Sequence, residues 1–201
     1  TKTNGYNEWI LHYANLSVGG VALKDNIDKF CIGSEMRGLT QYDSGSNTYP
    51  AVTNFKFLAA SVKTAVGSGV DVGYAADWSE YHSVDSYYNL DPLWTDTNID
   101  FVAIDYYMPL TPDLPQTSIT IDLIKQYFED GEGWEYFYTD SEARTGKTDY
   151  TPNDGTSPFA WKNIEQWWNS AHNNPGPVAT GWTAKMKPLI MTEFGFPSVD
   201  G

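Results

Sequence analysis

Four short apolar runs in this sequence close on residues suited to polar chemistry. Phe30–Glu35 ends on Glu35, Val70–Trp78 on Asp77 and Trp78, Ile99–Tyr107 on Asp105 and Tyr107, and Lys187–Pro197 carries Glu193. An acid at the end of a buried strand loses hydration and is disfavoured unless it is paired or used. Two carboxylates across a cleft walled by Trp and Tyr faces are what glycoside hydrolysis needs: one protonated acid for the leaving oxygen, and one ionised partner on the opposite face of the sugar. Taken singly, Asp77, Asp105 and Glu193 read equally well as caps of the helices or turns that follow. Their recurrence at four strand ends favours the chemical reading. Glu35 has its own competing partner in Arg37, two positions on, because alternate strand residues share a face. Trp78 and Tyr107, at strand ends, are the candidate sugar platforms; Tyr74 and Trp94 read also as core rings, Trp94 in Asp91-Pro-Leu-Trp94 above all.

The elements that must position these residues alternate. The four runs are short, apolar and bounded by polar or turn residues, as buried strands are. Ala51–Val66 puts Val52, Phe55, Leu58, Ala59 and Val62 on one helical stripe, and shorter helical patterns cover Ile119–Glu129 and Phe159–Ala171. A first helix, Tyr6–Leu16, carries Tyr6, Trp9, Ile10, Tyr13 and Leu16 at helical spacing and runs to Gly19-Gly20. Strand alternating with helix predicts an α/β fold with the four strands parallel and adjacent in chain order. In a parallel barrel the active site forms at the C-terminal ends of the strands, where these acids fall. The stretch 131–157 reads as a decorated insertion with partial helix at Glu132–Glu142. A complete barrel takes about 250 residues; with four strands in view, residues 1–201 are expected to be part of a single barrel domain within a longer chain.

Composition narrows the partners. With 12 Lys+Arg against 26 Asp+Glu the formal charge is −14, which repels a phosphate backbone, so nucleic acid is not an expected partner. Hydrophobic residues at 41% and aromatics at 15% exceed what a disordered acidic chain carries, and they furnish a core. The one cysteine, Cys31, excludes an internal disulfide framework. No apolar run reaches the roughly 18 residues of a membrane span. His12, His82 and His172 lack ligand spacing, so no metal is assigned. Asp43-Ser-Gly-Ser-Asn47 is a turn and lacks the Lys of a phosphate loop.

Several segments carry a family resemblance. Ile32-Gly-Ser-Glu35, Tyr74-Ala-Ala-Asp-Trp78, Ile104-Asp-Tyr-Tyr-Met-Pro-Leu110 and Lys187–Pro197 resemble strands four to seven of the clan A retaining glycosidases, nearest to the β-mannanase-like members. Gly33-Ser-Glu-Met-Arg-Gly-Leu39, Tyr74-Ala-Ala-Asp-Trp-Ser-Glu-Tyr81, Leu90-Asp-Pro-Leu-Trp94 and Trp167-Trp-Asn-Ser-Ala-His172 are more closely similar to the TIM-barrel-like domain of gene transfer agent and phage tail hub proteins, over almost the whole chain. The resemblance implies a (β/α)8 TIM barrel, of which this chain covers about strands four to seven, working without a cofactor. It implies Glu35 as acid/base and Glu193 as nucleophile. Ser34, Arg37, Tyr74, Asp77, Trp78, Asp105 and Tyr107 are then the substrate-binding candidates. Many clan members place Asn before the acid/base to contact the sugar 2-hydroxyl; Ser34 stands there with a shorter reach. The implied partner is a polysaccharide or host cell-surface glycan, together with other tail proteins, in a virion tail or extracellular setting. Two readings stay open: a retaining endo-acting β-glycosidase, favoured by both glutamates, and a non-catalytic glycan-binding or structural module of the tail hub, favoured by Ser34.

Overall fold

The computed structural model describes residues 5–84, 87–108, 110, 118–130, 136–140, 145–149 and 164–196. In chain order the elements are α1 (Tyr6–Ala14), β1 (Ser17–Val18), β2 (Val21–Ala22), β3 (Lys29–Ser34), α2 (Arg37–Thr40), α3 (Pro50–Val66), β4 (Asp71–Asp77), α4 (Asp91–Trp94), β5 (Phe101–Tyr106), α5 (Ile121–Asp130), β6 (Tyr136–Asp140), β7 (Thr145–Asp149), α6 (Ile164–Asn169), β8 (Asn173–Asn174), β9 (Val178–Ala179) and β10 (Leu189–Phe194). They divide into two units. The first comprises Thr1–Asp105, His172–Trp182 and Met186–Thr192; the second comprises Tyr106–Ala171, Thr183–Lys185 and Glu193–Gly201.

The first unit is built on the four-stranded sheet, in the order β10-β5-β4-β3. β3 pairs parallel with β4, and β4 with β5. Along β5 and β10, Val102 N–H donates to Pro188 O at 2.9 Å and Thr192 Oγ1 to Asp105 Oδ1 at 2.6 Å, so both strands advance in the same direction. The predicted adjacency and parallel sense are found. β4 and β5 read as near-continuous apolar runs because they are covered on both faces, and Val72, Tyr74, Ala76, Phe101, Val102 and Ile104 are buried.

Helix α3 covers one face with the stripe that its sequence predicts: Val52, Phe55, Leu58, Ala59 and Val62 are buried. Pro50 opens it, where a missing N–H costs nothing, and Gly67 closes it at φ +82°. A line of rings joins the layers: Tyr6 to Phe55 at 6.2 Å, Phe55 to Tyr74 at 5.3 Å and Tyr74 to Trp94 at 5.9 Å between centroids. Trp94 is buried, a core ring. At the opposite end of the sheet Lys63 Nζ reaches Asp100 Oδ2 at 2.5 Å and Val70 O at 2.9 Å, tying the end of α3 to the start of β5. Burial works to raise the Asp100 carboxyl, but the Lys63 bond, the Val72 N–H and the nearby Lys187 charge outweigh it and hold it below the usual range.

Helix α1 is shorter than its periodicity predicts. It stops at Ala14, and Gly19 and Gly20, at φ +61° and +85°, turn the chain into the small antiparallel β1–β2 pair. Of its predicted apolar face Ile10 is buried, whereas Trp9 and Tyr13 are exposed and stack edge to face at 5.2 Å.

In the second unit α5 matches the predicted Ile119–Glu129 pattern to one or two residues, and α6 falls within the described part of Phe159–Ala171, ending two residues short of it. Tyr106, Phe128, Phe194 and Phe196 form an aromatic cluster with centroid separations of 4.6 to 5.9 Å. The helix expected at Glu132–Glu142 is corrected. Tyr136–Asp140 is a strand, paired antiparallel with Thr145–Asp149 from Tyr136↔Asp149 to Asp140↔Thr145. Tyr-Phe-Tyr-Thr is rich in strand formers, and cross-strand pairing overrides the weak helical signal. The rest of 131–157 lies outside the described residues.

Candidate functional site

Glu35 follows the last residue of β3. The β3–β4 register, regular at Lys29↔Asp71 through Cys31↔Gly73, shifts before Ser34↔Ala75. Such bulges re-aim the residues beyond them. Glu35 then takes φ +51°, a left-handed conformation that costs a residue with a Cβ about 1–2 kcal/mol. Its N–H donates to Ala75 O at 2.8 Å. Gly33 makes the approach feasible, since a Cβ there would lie 2.9 Å from the Tyr6 hydroxyl and 3.2 Å from the Tyr74 ring. The Tyr6 hydroxyl itself donates to Ile32 O at 2.7 Å. Glu35 is exposed, which corrects the expectation of a buried acid: the strand has already turned out of the sheet when it reaches this residue.

Tyr74, one of the substrate-binding candidates, is fully enclosed, and its ring has no open face. Its hydroxyl accepts from Met36 N–H at 2.8 Å and donates to Glu80 Oε1 at 2.8 Å. Glu80 is also fully buried; it accepts from Thr40 Oγ1 at 2.5 Å and from Asp77 N–H at 3.1 Å. Burial pushes the Glu80 carboxyl up, against the pull of these three donors. Asn89 Nδ2 donates to Thr40 O at 3.0 Å. The motif Tyr74–Tyr81 contains Glu80, yet its spacing does not single out an acid that serves the core.

Ser34, Asp105 and Thr192 come together in the first unit. Ser34 Oγ donates to Asp105 Oδ2 at 2.8 Å, and Thr192 Oγ1 donates to Oδ1 at 2.6 Å, so both oxygens of this buried carboxylate are satisfied. Cys31 lies beside it: burial, then the Asp105 charge, push the thiol up to about 11. Asp77 and Asp105 are register partners at the ends of β4 and β5, but Asp77 caps its own turn, accepting from Ser79 N–H at 2.7 Å and from Ser79 Oγ. Arg37 Nη1 donates to Ser79 Oγ at 2.9 Å, and Nε to Gln41 at 3.2 Å. Trp78 is half-buried in the same turn.

Glu193 and Tyr107 belong to the second unit. Tyr107, 40% exposed, donates its hydroxyl to Glu193 Oε2 at 2.8 Å. Gly195 lets the ring lie across the backbone, because a Cβ there would meet Tyr107 Cε1 at 2.7 Å. Glu193 is exposed.

A further polar cluster of the first unit escapes sequence reading. His172 lies just past α6, not within a helix, and is buried; its Nδ1 is 2.9 Å from Asp91 Oδ2, to which Thr180 Oγ1 also donates. The imidazole is stacked on Tyr88 at 4.3 Å and on Trp182 at 5.4 Å, each at 8°. Burial pushes the Asp91 carboxyl up, and the bonds to His172 and Thr180 oppose it. His82, whose ring lies 4.9 Å from that of Tyr88 at a tilt of 49°, is held well below the ordinary histidine range by burial and by the neighbouring His172. The partners are 81 and 89 positions apart, so no local pattern announces them.

Among the described residues no group of three or more His, Cys, Asp or Glu is placed to hold a metal ion, and no helix is long and apolar enough to cross a membrane. No curated protein and no solved structure matches the chain. The family model described as the GTA TIM-barrel-like domain matches residues 4–201, nearly the whole sequence. With its parallel sheet of α/β construction and acids at the strand ends, the chain belongs to the GTA TIM-barrel-like domain family.

Proposed function

We propose that this domain is a retaining glycoside hydrolase module of a tail hub protein, acting on a host surface polysaccharide, with Glu193 as nucleophile and Glu35 as acid/base. The observation that carries this reading is the pairing of an accessible strand-end carboxylate with a phenol donor, Tyr107 Oη to Glu193 Oε2 at 2.8 Å. The phenol's hydrogen bond orients that carboxylate for attack. In this reading β3, β4, β5 and β10 take the places of strands four to seven, and a retaining mechanism requires its two carboxyl groups about 5–5.5 Å apart. Glu35 gives its proton to the glycosidic oxygen as Glu193 attacks the anomeric carbon, and the leaving alcohol departs. Glu35, now ionised, takes a proton from the water that releases the sugar from Glu193. Trp78 and Tyr107 are the ring faces offered to the pyranose, and Arg37 a donor to its hydroxyls.

The test is a mechanism-based fluoroglycoside label on the complete protein. A single sugar adduct on Glu193, absent in Glu193→Gln, is expected; labelling that persists in Glu193→Gln refutes the assignment. One observation favours the second reading, a glycan-recognition module without turnover: the Ser34 hydroxyl gives its proton to Asp105, which leaves it none to donate to a sugar 2-hydroxyl. Glycan binding by a protein that never takes the label would select that reading.

A further inference from the structure

We infer that Tyr74 and Glu80 are positioning residues for Glu35: they hold the left-handed turn that presents it. The catalytic consequence rests on the acid/base role proposed above, whereas the structural part does not. Two N–H groups anchor the turn, and both bonds end on β4: Glu35 N–H to Ala75 O and Met36 N–H to Tyr74 Oη, each 2.8 Å. A phenol has one proton. Tyr74 donates its own to Glu80, so its lone pairs are directed to the Met36 amide. Glu80 is fixed in turn by Thr40, at the end of the helix that starts immediately after Met36, and by Asp77 N–H, at the end of β4. The bonds therefore form a closed circuit through Met36, α2, Thr40, Glu80 and Tyr74, in which the side chains of Thr40, Glu80 and Tyr74 are buried. Packing alone does not require it. A Phe would fill the ring site beside Phe55 and Trp94 equally well, and a buried acid costs more than an apolar residue of similar volume. What the hydroxyl and the carboxylate add is a directed acceptor for the one amide next to a strained residue, where strain persists only if the surroundings over-determine it.

The experiment compares Tyr74→Phe, Glu80→Ala and Glu80→Gln in the complete protein by hydrogen-exchange mass spectrometry and by the rate of fluoroglycoside labelling. Expected are faster exchange in the 35–37 segment for Tyr74→Phe and Glu80→Ala, partial recovery in Glu80→Gln, and unchanged exchange in β5. The labelling rate should fall about tenfold or more with glycan binding retained, as for a misplaced catalytic group. Exchange at 35–37 that stays at the wild-type rate in Tyr74→Phe overturns the inference. Should these variants loosen the whole fold, a double-mutant cycle of Tyr74→Phe with Glu35→Gly decides: glycine takes the left-handed turn without penalty, so a smaller melting-temperature loss is expected in that background, and strict additivity overturns the inference. A wild-type protein that takes no label defeats only the glycosidase reading, because exchange and the cycle still judge the positioning.

Discussion

Glu35 shows how a residue can be easy to find and hard to place. Its position after an apolar strand marks it as a chemical candidate, but its exposure and its φ of +51° come from the bulge in β3 and from the amide anchors on β4. Because L-residues are penalised in that conformation, Glu35→Gly should raise stability in spite of the lost side chain. The relief is about 1–2 kcal/mol, offset by roughly 0.5–1 kcal/mol of added unfolded-state freedom. The expected result is a urea midpoint equal to or above that of wild type, together with complete loss of labelling. A marked drop in the midpoint would mean that the side chain itself holds structure. Tyr74 is the opposite case, legible as an aromatic within an apolar strand and ambiguous between sugar contact and core. Only the enclosure of its ring and the commitment of its hydroxyl to Met36 and Glu80 decide for the core.

Among the elements, β3, β4, β5, β10 and α3 are legible because each carries its own local pattern without help from distant residues: short apolar runs for the strands, a 3.6-residue stripe for the helix. The two-residue pairs β1–β2 and β8–β9 are not, since so few residues make no period. The circuit between α2 and β4 predicts a pH dependence. Burial raises the Glu80 carboxyl above its unfolded value, so the folded state holds that proton more tightly. Ionising Glu80 therefore costs stability as pH rises from the unfolded value through the folded one. Glu80→Gln, which is neutral throughout, should gain stability relative to wild type as pH rises above the unfolded carboxylate range, measured as the difference in urea midpoints. A difference that does not change with pH would place the carboxyl in the ordinary range. Asp100 works in the other direction: held low by Lys63, it stabilises above the unfolded carboxylate range, and that contribution is lost as pH falls through its folded value.

For the whole molecule, the family match over residues 4–201 agrees with a parallel sheet whose acids fall at the strand ends. Among the described residues that sheet has two outer strands, β3 and β10. If it is an arc of a closed barrel, both edges present unpaired backbone groups whenever residues 1–201 are produced alone. The isolated 201-residue chain is then expected to self-associate in light scattering while the complete protein stays monodisperse. A concentration-independent monomer that unfolds cooperatively would contradict the arc. The charge of −14 opposes non-specific contact with nucleic acid, but it does not protect a bare edge, where backbone hydrogen bonds drive pairing.

By itself the sequence determined the α/β alternation, the parallel order of the four strands, the burying stripe of α3 and the acids at the strand ends, because these follow from local burial period and from motifs read within short segments. Tertiary structure alone decided how each acid is used. Asp105 is held between Ser34 and Thr192, Asp77 caps its own turn, Glu80 and Asp91 are enclosed within the first unit, and Glu193 is left accessible under the Tyr107 hydroxyl. The physical reason is that a carboxylate's role depends on desolvation and on donors brought from dozens of positions away, and no local pattern records which donors will arrive.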